Sequence, residues 1–348
     1  MKSNLFFVAL AIVALVLVGC AGQPAAQSAG EPITIRFGYF PNITHAQAVI
    51  GIADGTFMRA FGDEVKIDAK TFNAGPSVIE AMFAGQIDLS YIGPNPAING
   101  YVKSKGEALR IIAGATSGGA VLVVRNDARI NTTADFRGKK IASPQLGNTQ
   151  DVAVRAWLMQ QGFKLKEQGG DTQVIPVANP DILTLFRKKE IDAAWVPEPW
   201  GARLVHEANG KIFLDERDLW NATRGNFVTA HIIVSAKFLR EHPDVVKQFL
   251  SAHVELTQRI NADPAAAKQK LNAEIERLTS AALPVQVLDD AWSRQTITYD
   301  PISASLFGSA DAAFKLGFLG DTAPNLDKIY DLTLLNQVLK EKGLAAVQ

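Results

Sequence analysis

The chain has 348 residues and no formal net charge, because 35 Lys and Arg residues balance 35 Asp and Glu residues. Without a strong positive field it has little means of attracting nucleic acid or coating an anionic membrane. We therefore expect no nucleic-acid partner. The length exceeds what one hydrophobic core usually serves, so we expect two domains.

The N-terminus has the pattern of a lipoprotein signal peptide. Lys2 precedes an apolar run over residues 5–18, which matches the core of a secretion signal and is too short to span a membrane. The run ends in Gly19-Cys20, and a lipoprotein signal peptidase requires small residues before the cysteine that receives the lipid. Cys20 is the only cysteine, so it forms no internal disulfide. The alternative is an ordinary secretion signal with a chance cysteine.

We therefore predict a signal peptide over residues 1–20 and lipid attachment at Cys20. Residues 21–31 are small and polar with almost nothing to bury, which predicts a flexible tether. The protein would then be anchored to a membrane of the cell envelope and face the periplasm or the exterior.

The globular part begins with alternating strand and helix patterns. The hydropathy pattern predicts strands at 33–39, 65–72, 88–92, 139–143, 172–177, 192–196 and 228–235, and helices at 46–61, 77–84, 150–161, 182–188, 243–260 and 264–278. Alternation of β and α segments indicates a mainly parallel sheet with helices on both faces. The C-terminal third has no further βα repeat, so we expect it to pack on the first domain.

Two stretches of the chain repeat one another at a constant offset of 104 residues. The matched pairs are Phe37 and Ile141, Thr44 and Asn148, Pro76 and Pro180, Asp88 and Asp192, and Tyr91 and Trp195. A shared offset across two strand–helix–strand blocks indicates two similar lobes, although any α/β chain has some periodicity. We predict lobe one over 32–117 and 230–348 and lobe two over 118–229. Two crossings between the lobes would make a hinge, and the crevice between them would bind a small ligand.

Four phrases of the sequence resemble one known family. They are GYFPNITHAQ at residues 38–47, FAGQID at 83–88, WVPEPW at 195–200 and LREHPDVV at 239–246. In their order and spacing they are similar to the solute-binding proteins of the aliphatic sulfonate, taurine and nitrate uptake systems, which share a fold with thiamine-precursor-binding proteins. The resemblance covers residues 33–343.

The resemblance implies an α/β, bilobed periplasmic-binding-protein fold of type II, with two similar lobes joined by two crossover strands. It further implies a monomer that passes its solute to an ABC permease driven by an ATPase. The implied solute is a small sulfonate-type oxyanion, either an alkanesulfonate or taurine. Nitrate, an aromatic carboxylate and a thiamine- or riboflavin-type vitamin precursor are the alternatives.

The residue chemistry places candidate ligand contacts in loops that join the carboxyl end of a strand to the start of a helix. Ligands of open α/β sheets lie there, and free N–H groups at helix starts hold oxyanions without a basic side chain. The loops at 40–45, 73–77 and 147–150 are rich in small, hydroxyl and amide side chains and contain no Lys or Arg. The candidate ligand-binding residues are Phe40, Asn42, Thr44, His45, Gly75, Ser77, Asn95, Ser117, Asn148, Thr149, Gln150, Glu198, Trp200 and Thr229.

Each candidate also has a structural alternative. Ser, Thr and Asn are ordinary helix caps. His45 either donates to an anion or serves as a cap or surface residue. Glu198 either attracts an ammonium group of the ligand or pairs with Arg203. Four aromatic side chains either line a slot for an alkyl chain or belong to the core: Phe40, Tyr91, Trp195 and Trp200.

Enzyme motifs are missing from the sequence. It contains no Gly-x-Ser-x-Gly, no phosphate loop and no His-Glu-x-x-His, and its five histidines lack metal-ligand spacing. The thiamine-pyrimidine synthases that share the fold depend on a cysteine-rich iron-binding segment, which a chain with Cys20 alone does not have. We therefore expect a binding protein with no catalytic activity, no cofactor and no metal.

Overall fold

The structure is a computed structural model, and it describes residues 32–348. The predicted signal peptide (1–20), the lipid attachment at Cys20 and the tether (21–31) lie outside the described residues. No helix between residues 32 and 348 is long and apolar enough to cross a membrane.

Strands and helices alternate through the first two thirds of the described chain, and helices dominate the rest. The strands are β1 (Ile33–Tyr39), β2 (Val65–Thr71), β3 (Leu89–Ile92), β4 (Leu109–Gly118), β5 (Ala120–Arg125), β6 (Lys140–Ser143), β7 (Gln173–Pro176), β8 (Ala193–Pro197), β9 (Gly210–Asp215), β10 (Val228–Ser235) and β11 (Gln295–Ile297). The α-helices are α1 (Ala46–Ala53), α2 (Thr56–Phe61), α3 (Gly75–Phe83), α4 (Pro94–Lys103), α5 (Thr149–Gln160), α6 (Asn179–Arg187), α7 (Trp200–Ala208), α8 (Ala236–Glu241), α9 (Pro243–Ala262), α10 (Pro264–Thr279), α11 (Val285–Ser293), α12 (Ser303–Lys315) and α13 (Thr333–Glu341).

The strands form two sheets, each the centre of one lobe. The first lobe has six strands in the order β11-β4-β10-β3-β1-β2, and the second has five in the order β7-β6-β8-β5-β9. In each sheet three parallel strands are followed by an antiparallel crossover strand, which is β10 in the first lobe and β5 in the second. The predicted bilobed α/β fold with two similar lobes is confirmed.

The repeat extends to individual residue pairs. Phe37 of β1 lies opposite Leu89 of β3, and 104 residues later Ile141 of β6 lies opposite Ala193 of β8. Helices α3 and α6 are related by the same offset. The carboxylates of Asp88 and Asp192 make equivalent hydrogen bonds in the two lobes. Asp88 accepts the backbone N–H of Arg36 and Asp192 that of Lys140, each at 2.9 Å.

The crossover strand β5 shows how both faces of the second sheet are buried. Leu122 and Val124 point into one hydrophobic cluster of the second lobe, and Val121 and Val123 point into the other. Although β5 is antiparallel to its neighbours, its all-apolar sequence is typical of a strand in a sheet covered by helices on both sides. The core therefore holds the ends of the strands, and the loops that follow them, in fixed positions.

The prediction of one helix over residues 46–61 is wrong. The segment forms two helices, α1 and α2, because the chain turns at Asp54-Gly55. Gly55 has a φ of 71°, a left-handed conformation that glycine adopts without strain. The carboxylate of Asp54 then accepts the backbone N–H of Thr56 at 3.1 Å, at the start of the second helix.

The C-terminal third packs mainly on the first lobe, as expected, but two of its helices also contact the second lobe. Strand β10 completes the first sheet, and α9 packs against α1, α2 and α13 around it. Helices α11 and α12 also contact the second lobe, through α7 and α5 respectively. These contacts and the link at Gly118-Gly119 hold the two lobes face to face.

Candidate functional site

Two turns, one from each lobe, face each other across a small cavity. Residues 40–45 lead from β1 to α1 in the first lobe, and residues 144–148 lead from β6 to α5 in the second. The cavity, here called the turn cavity, has a volume of about 20 Å³, which is enough for about one water molecule. Its walls are Phe40, Asn42, Thr44, His45, Asn73, Gly93, Asn148, Thr149, Gln150, Asn179, Pro197 and Thr229. None of these is a Lys, Arg, Asp or Glu, so the donors in the cavity are neutral.

The first-lobe turn is built around His45. Its ring is buried and stacks on Phe40 with 4.3 Å between ring centroids. Its Nδ1 accepts the backbone N–H of Phe40 at 3.2 Å. Burial, together with nearby His231, lowers the pKa of His45 to about 3. The ring is therefore neutral with its proton on Nε2, which makes it a hydrogen-bond donor without charge.

The second-lobe turn presents the start of α5. The N–H groups of its first turn have no acceptor within the helix, and the side chain of Asn148 does not cap them. That side chain donates to Gln150 Oε1 at 3.2 Å instead. Thr149 Oγ1 and Asn179 Oδ1 are buried without any hydrogen-bond partner, and both residues line the turn cavity. Unpartnered buried polar atoms are costly, so their presence here points to a ligand.

The asparagines at the two helix starts do not act as helix caps through their side chains. The side chains of Asn42 and Asn148 make no capping hydrogen bond, because Asn42 Oδ1 accepts from the Thr44 hydroxyl at 2.8 Å and Asn148 contacts Gln150. His45 occupies the N-cap position of α1, but its side chain makes no capping hydrogen bond. It is 2% exposed, so the surface alternative for it is wrong.

Gly93 allows the two turns to approach. It follows β3, and a Cβ at this position would overlap the hydroxyl of Thr149 from the other lobe. Pro197, the last residue of β8, occupies the equivalent position 104 residues later. Sequence reasoning missed Asn73, Gly93, Asn179 and Pro197. Asn73 lies in the candidate loop at 73–77 and the repeat relates Asn179 to the candidate Gly75, so the sequence carried a signal for these two.

The predicted candidates divide into two groups. Those on the turn cavity are Phe40, Asn42, Thr44, His45, Asn148, Thr149, Gln150 and Thr229. Those away from it are Gly75, Ser77, Asn95, Ser117, Glu198 and Trp200.

Several members of the second group have structural partners. Gly75 lies against Pro96, where a Cβ would collide. The hydroxyl of Ser77 is 3.4 Å from Gln145 Oε1 of the other lobe. Asn95 donates to the carbonyl of Ser309 at 3.1 Å.

Glu198 does not pair with Arg203, and that alternative is wrong. Its carboxylate is fully buried, accepts from Arg294 at 2.7 Å and takes the backbone N–H of Ala202 at 2.9 Å. Arg203 pairs instead with Glu207, one turn further along α7 at 3.0 Å, and covers the ring of Trp200. Glu198 thus ties the second lobe to the segment that follows α11.

Of the other aromatic candidates, Trp195 and Tyr91 are fully buried core residues. Trp195 donates its indole N–H to Glu216 at 2.8 Å. Tyr91 bonds to His253 at 2.7 Å. Within residues 32–348 no cluster of His, Cys, Asp and Glu side chains is arranged to hold a metal ion.

Two similar α/β lobes whose helix starts face one another across a polar cavity make up the bilobed fold of periplasmic binding proteins. The chain belongs to the NMT1-like family, whose model matches residues 28–275. This confirms the family resemblance that the four sequence phrases carry.

Individual relatives are more distant. The taurine-binding periplasmic protein of Escherichia coli K12 is 26% identical over 220 residues, 62% of this chain. That match spans 64% of the length of the relative. A putative aliphatic sulfonates-binding protein of Bacillus subtilis 168 is 25% identical over 98% of both chains. Among solved structures, the alkanesulfonate-binding protein SsuA of Xanthomonas axonopodis pv. citri bound to MOPS superposes with a TM-score of 0.70 at 19% identity, over 84% of this chain and 96% of its own.

Proposed function

We propose that the protein is the extracytoplasmic solute-binding component of an ABC uptake transporter and captures a small sulfonate-type oxyanion between its lobes. The observation that carries this proposal is the turn cavity, where neutral donors from both lobes converge and no charged side chain is present. Neutral N–H and O–H groups at helix starts suit an oxyanion. The names of the relatives, which refer to taurine and aliphatic sulfonates, support the same solute class.

Within that class the lining favours an alkanesulfonate over taurine. Taurine carries an ammonium group, and no residue on the turn cavity carries a carboxylate to pair with it. Glu198, the carboxylate considered for that role, is already bound by Arg294. Nitrate, an aromatic carboxylate and a vitamin precursor are the competing solutes.

The remaining parts of the proposal follow from this role. A permease and its ATPase are the partners, the protein acts as a monomer without catalytic activity, and Cys20 carries the lipid that holds it to the membrane. Lobe one (32–117 and 230–348) and lobe two (118–229) close on the solute about the crossings near Gly118-Gly119 and residues 226–231. A ligand stabilises a closed form only through contacts to both lobes.

Titration of the purified protein with methanesulfonate, taurine, nitrate, benzoate and thiamine tests the solute class. A ligand that binds only the native state raises the unfolding free energy by about 2.7 kcal/mol at a hundredfold excess over its Kd. We expect the largest rise in Tm with methanesulfonate and a smaller one with taurine. Stabilisation by thiamine alone would contradict the oxyanion proposal.

Two further measurements test the anchor and the hinge. Cys20→Ala should move the protein from the membrane fraction to the soluble fraction and remove the lipid mass. Small-angle scattering should report a more compact particle when the protein is saturated with methanesulfonate. Unchanged fractionation contradicts the anchor, and identical scattering profiles contradict the closure.

A further inference from the structure

A second and larger cavity lies between the lobes and shares the wall residue Thr149 with the turn cavity. It has a volume of about 210 Å³ and is here called the side cavity. Its floor is one face of α5, formed by Thr149, Val152, Ala153, Ala156, Trp157 and Gln160. Those residues recur at intervals of three and four, so the cavity follows the helix for about 16 Å.

The opposite wall comes from the first lobe. Helix α12 contributes Gly308, Ser309 and Ala312, and its small side chains leave the space open. The indole of Trp220 closes one side. It is held in place by stacking on Phe227 at 5.6 Å and by Gly308, where a Cβ would lie 2.9 Å from the indole ring.

Thr149 belongs to both cavities. It is 5% exposed, and its hydroxyl has no hydrogen-bond partner. A sulfonate that accepts a hydrogen bond from this hydroxyl would therefore lie beside Thr149, between the two cavities, with its carbon substituent directed into the side cavity. The turn cavity alone is too small to hold such a substituent.

The size and chemistry of the side cavity fit a ring. An apolar protein cavity of about 150 Å³ is known to hold benzene. Most of the lining is aliphatic or aromatic, and the buried carboxyl of Glu216 already accepts the indole N–H groups of Trp195 and Trp220. Nothing in this lining requires a charged substituent.

We propose that the side cavity binds a ring-sized apolar substituent of the solute, so that the protein takes arenesulfonates or cycloalkanesulfonates in preference to the smallest alkanesulfonates. This inference rests on the proposed function, because it assumes a sulfonate held at the two turns. It adds the part of the solute that the turns do not contact. The burial of a ring should strengthen binding by about 10- to 100-fold.

The test compares methanesulfonate with benzenesulfonate, which share a head group and differ in the ring. Calorimetry should give a Kd for benzenesulfonate at least about tenfold lower. Ala312→Leu fills the side cavity from α12 and should reduce the ratio of the two Kd values to about two or less. Ala304→Leu is the matched control, since Ala304 is an exposed residue of the same helix and does not line the cavity.

Each outcome has one meaning. Equal Kd values for the two sulfonates in the unmodified protein, or a ratio that Ala312→Leu does not change, overturn the side-cavity proposal and leave the proposed function intact. Failure of both sulfonates to bind means that the proposed function is wrong, and the side-cavity proposal falls with it. If Ala312→Leu lowers Tm so far that it cannot be titrated, Ala153→Leu fills the same space from α5 and replaces it.

Discussion

The two lobes share a sheet topology but bury different titratable groups. The first lobe buries three histidines, and burial lowers the pKa of His45 and His231 to about 3 and that of His253 to about 4. The second lobe buries Glu216, whose pKa burial raises to about 7 despite its indole donors. On acidification, the buried histidines of the first lobe therefore lower the free energy of unfolding, and Glu216 of the second lobe raises it. The repeat preserves the backbone and a few side chains such as Asp88 and Asp192. The side chains that differ between the lobes set what each lobe contributes chemically.

The largest expected effect comes from breaking the fit between the lobes at one of two equivalent positions. Gly93→Val places atoms where the Thr149 hydroxyl lies, which should hold the lobes apart and weaken methanesulfonate binding by up to about 100-fold. Pro197→Ala, at the matching position of the second lobe, adds no atoms and should change Kd by about threefold or less. Calorimetry on both variants measures the asymmetry, and equal losses would show that the crowding at Gly93 is not what matters.

One substitution in each lobe separates the two opposite contributions to the pH dependence of stability. A His whose pKa is lowered by folding takes up its proton in the unfolded chain first, so stability is lost as pH falls from about 6.5. His231→Phe removes one such site, and both ring nitrogens of His231 lack partners. Relative to the unmodified protein, this variant should gain up to about 2 kcal/mol between pH 7 and pH 5.

Glu216→Gln should act in the other direction. A carboxyl whose pKa is raised by folding loses stability as pH rises through about 4.5 to 7, so the unmodified protein gains from this site on acidification and the variant does not. The expected difference is again up to about 2 kcal/mol between pH 7 and pH 5. Urea denaturation at the two pH values measures both variants, and shifts of the same sign would contradict the assignment.

Two of the three threonines on the turn cavity, Thr44 and Thr149, give the smallest expected effects. The hydroxyl of Thr149 has no partner, so Thr149→Val should weaken methanesulfonate binding by about tenfold and stabilise the ligand-free protein by about 1 kcal/mol. The hydroxyl of Thr44 already donates to Asn42, so Thr44→Val should weaken binding by about twofold. Titration and thermal denaturation distinguish the two. A larger loss of methanesulfonate affinity in Thr44→Val than in Thr149→Val would contradict the interpretation that the Thr149 hydroxyl donates to the ligand.

The sequence predicted features that depend on the order of residues within short stretches of the chain. The 104-residue offset identified the paired lobes, and strand ends followed by Gly, Thr and Asn identified the two turns. It was uninformative where a contact joins distant segments. Arg294 reaches Glu198 across 96 residues of chain, and no local pattern marks it as the partner in place of Arg203. Trp220 likewise becomes a cavity wall only because α12 brings Gly308 against it.

The break in the first helix has a similar explanation. Residues 46–61 have helical spacing throughout, and the hydropathy pattern does not register that Asp54-Gly55 turns the chain. Periodicity reports which face is apolar, and a turn that keeps both halves against the same core leaves that pattern unchanged.

The position of β10 between β3 and β4 governs the order in which the lobes can be assembled. All five strands of the second sheet lie in one continuous stretch, from Ala120 to Asp215, so this lobe can complete its hydrogen-bonded ladder as soon as that stretch is available. The first sheet stays split until residues 228–235 arrive and bridge it, which is a long-range and therefore slow step. Four of the five tryptophans lie between Trp157 and Trp220. In refolding from urea, their fluorescence should recover early, and protection of the β4 and β10 amides from hydrogen exchange should follow as a distinct, later phase.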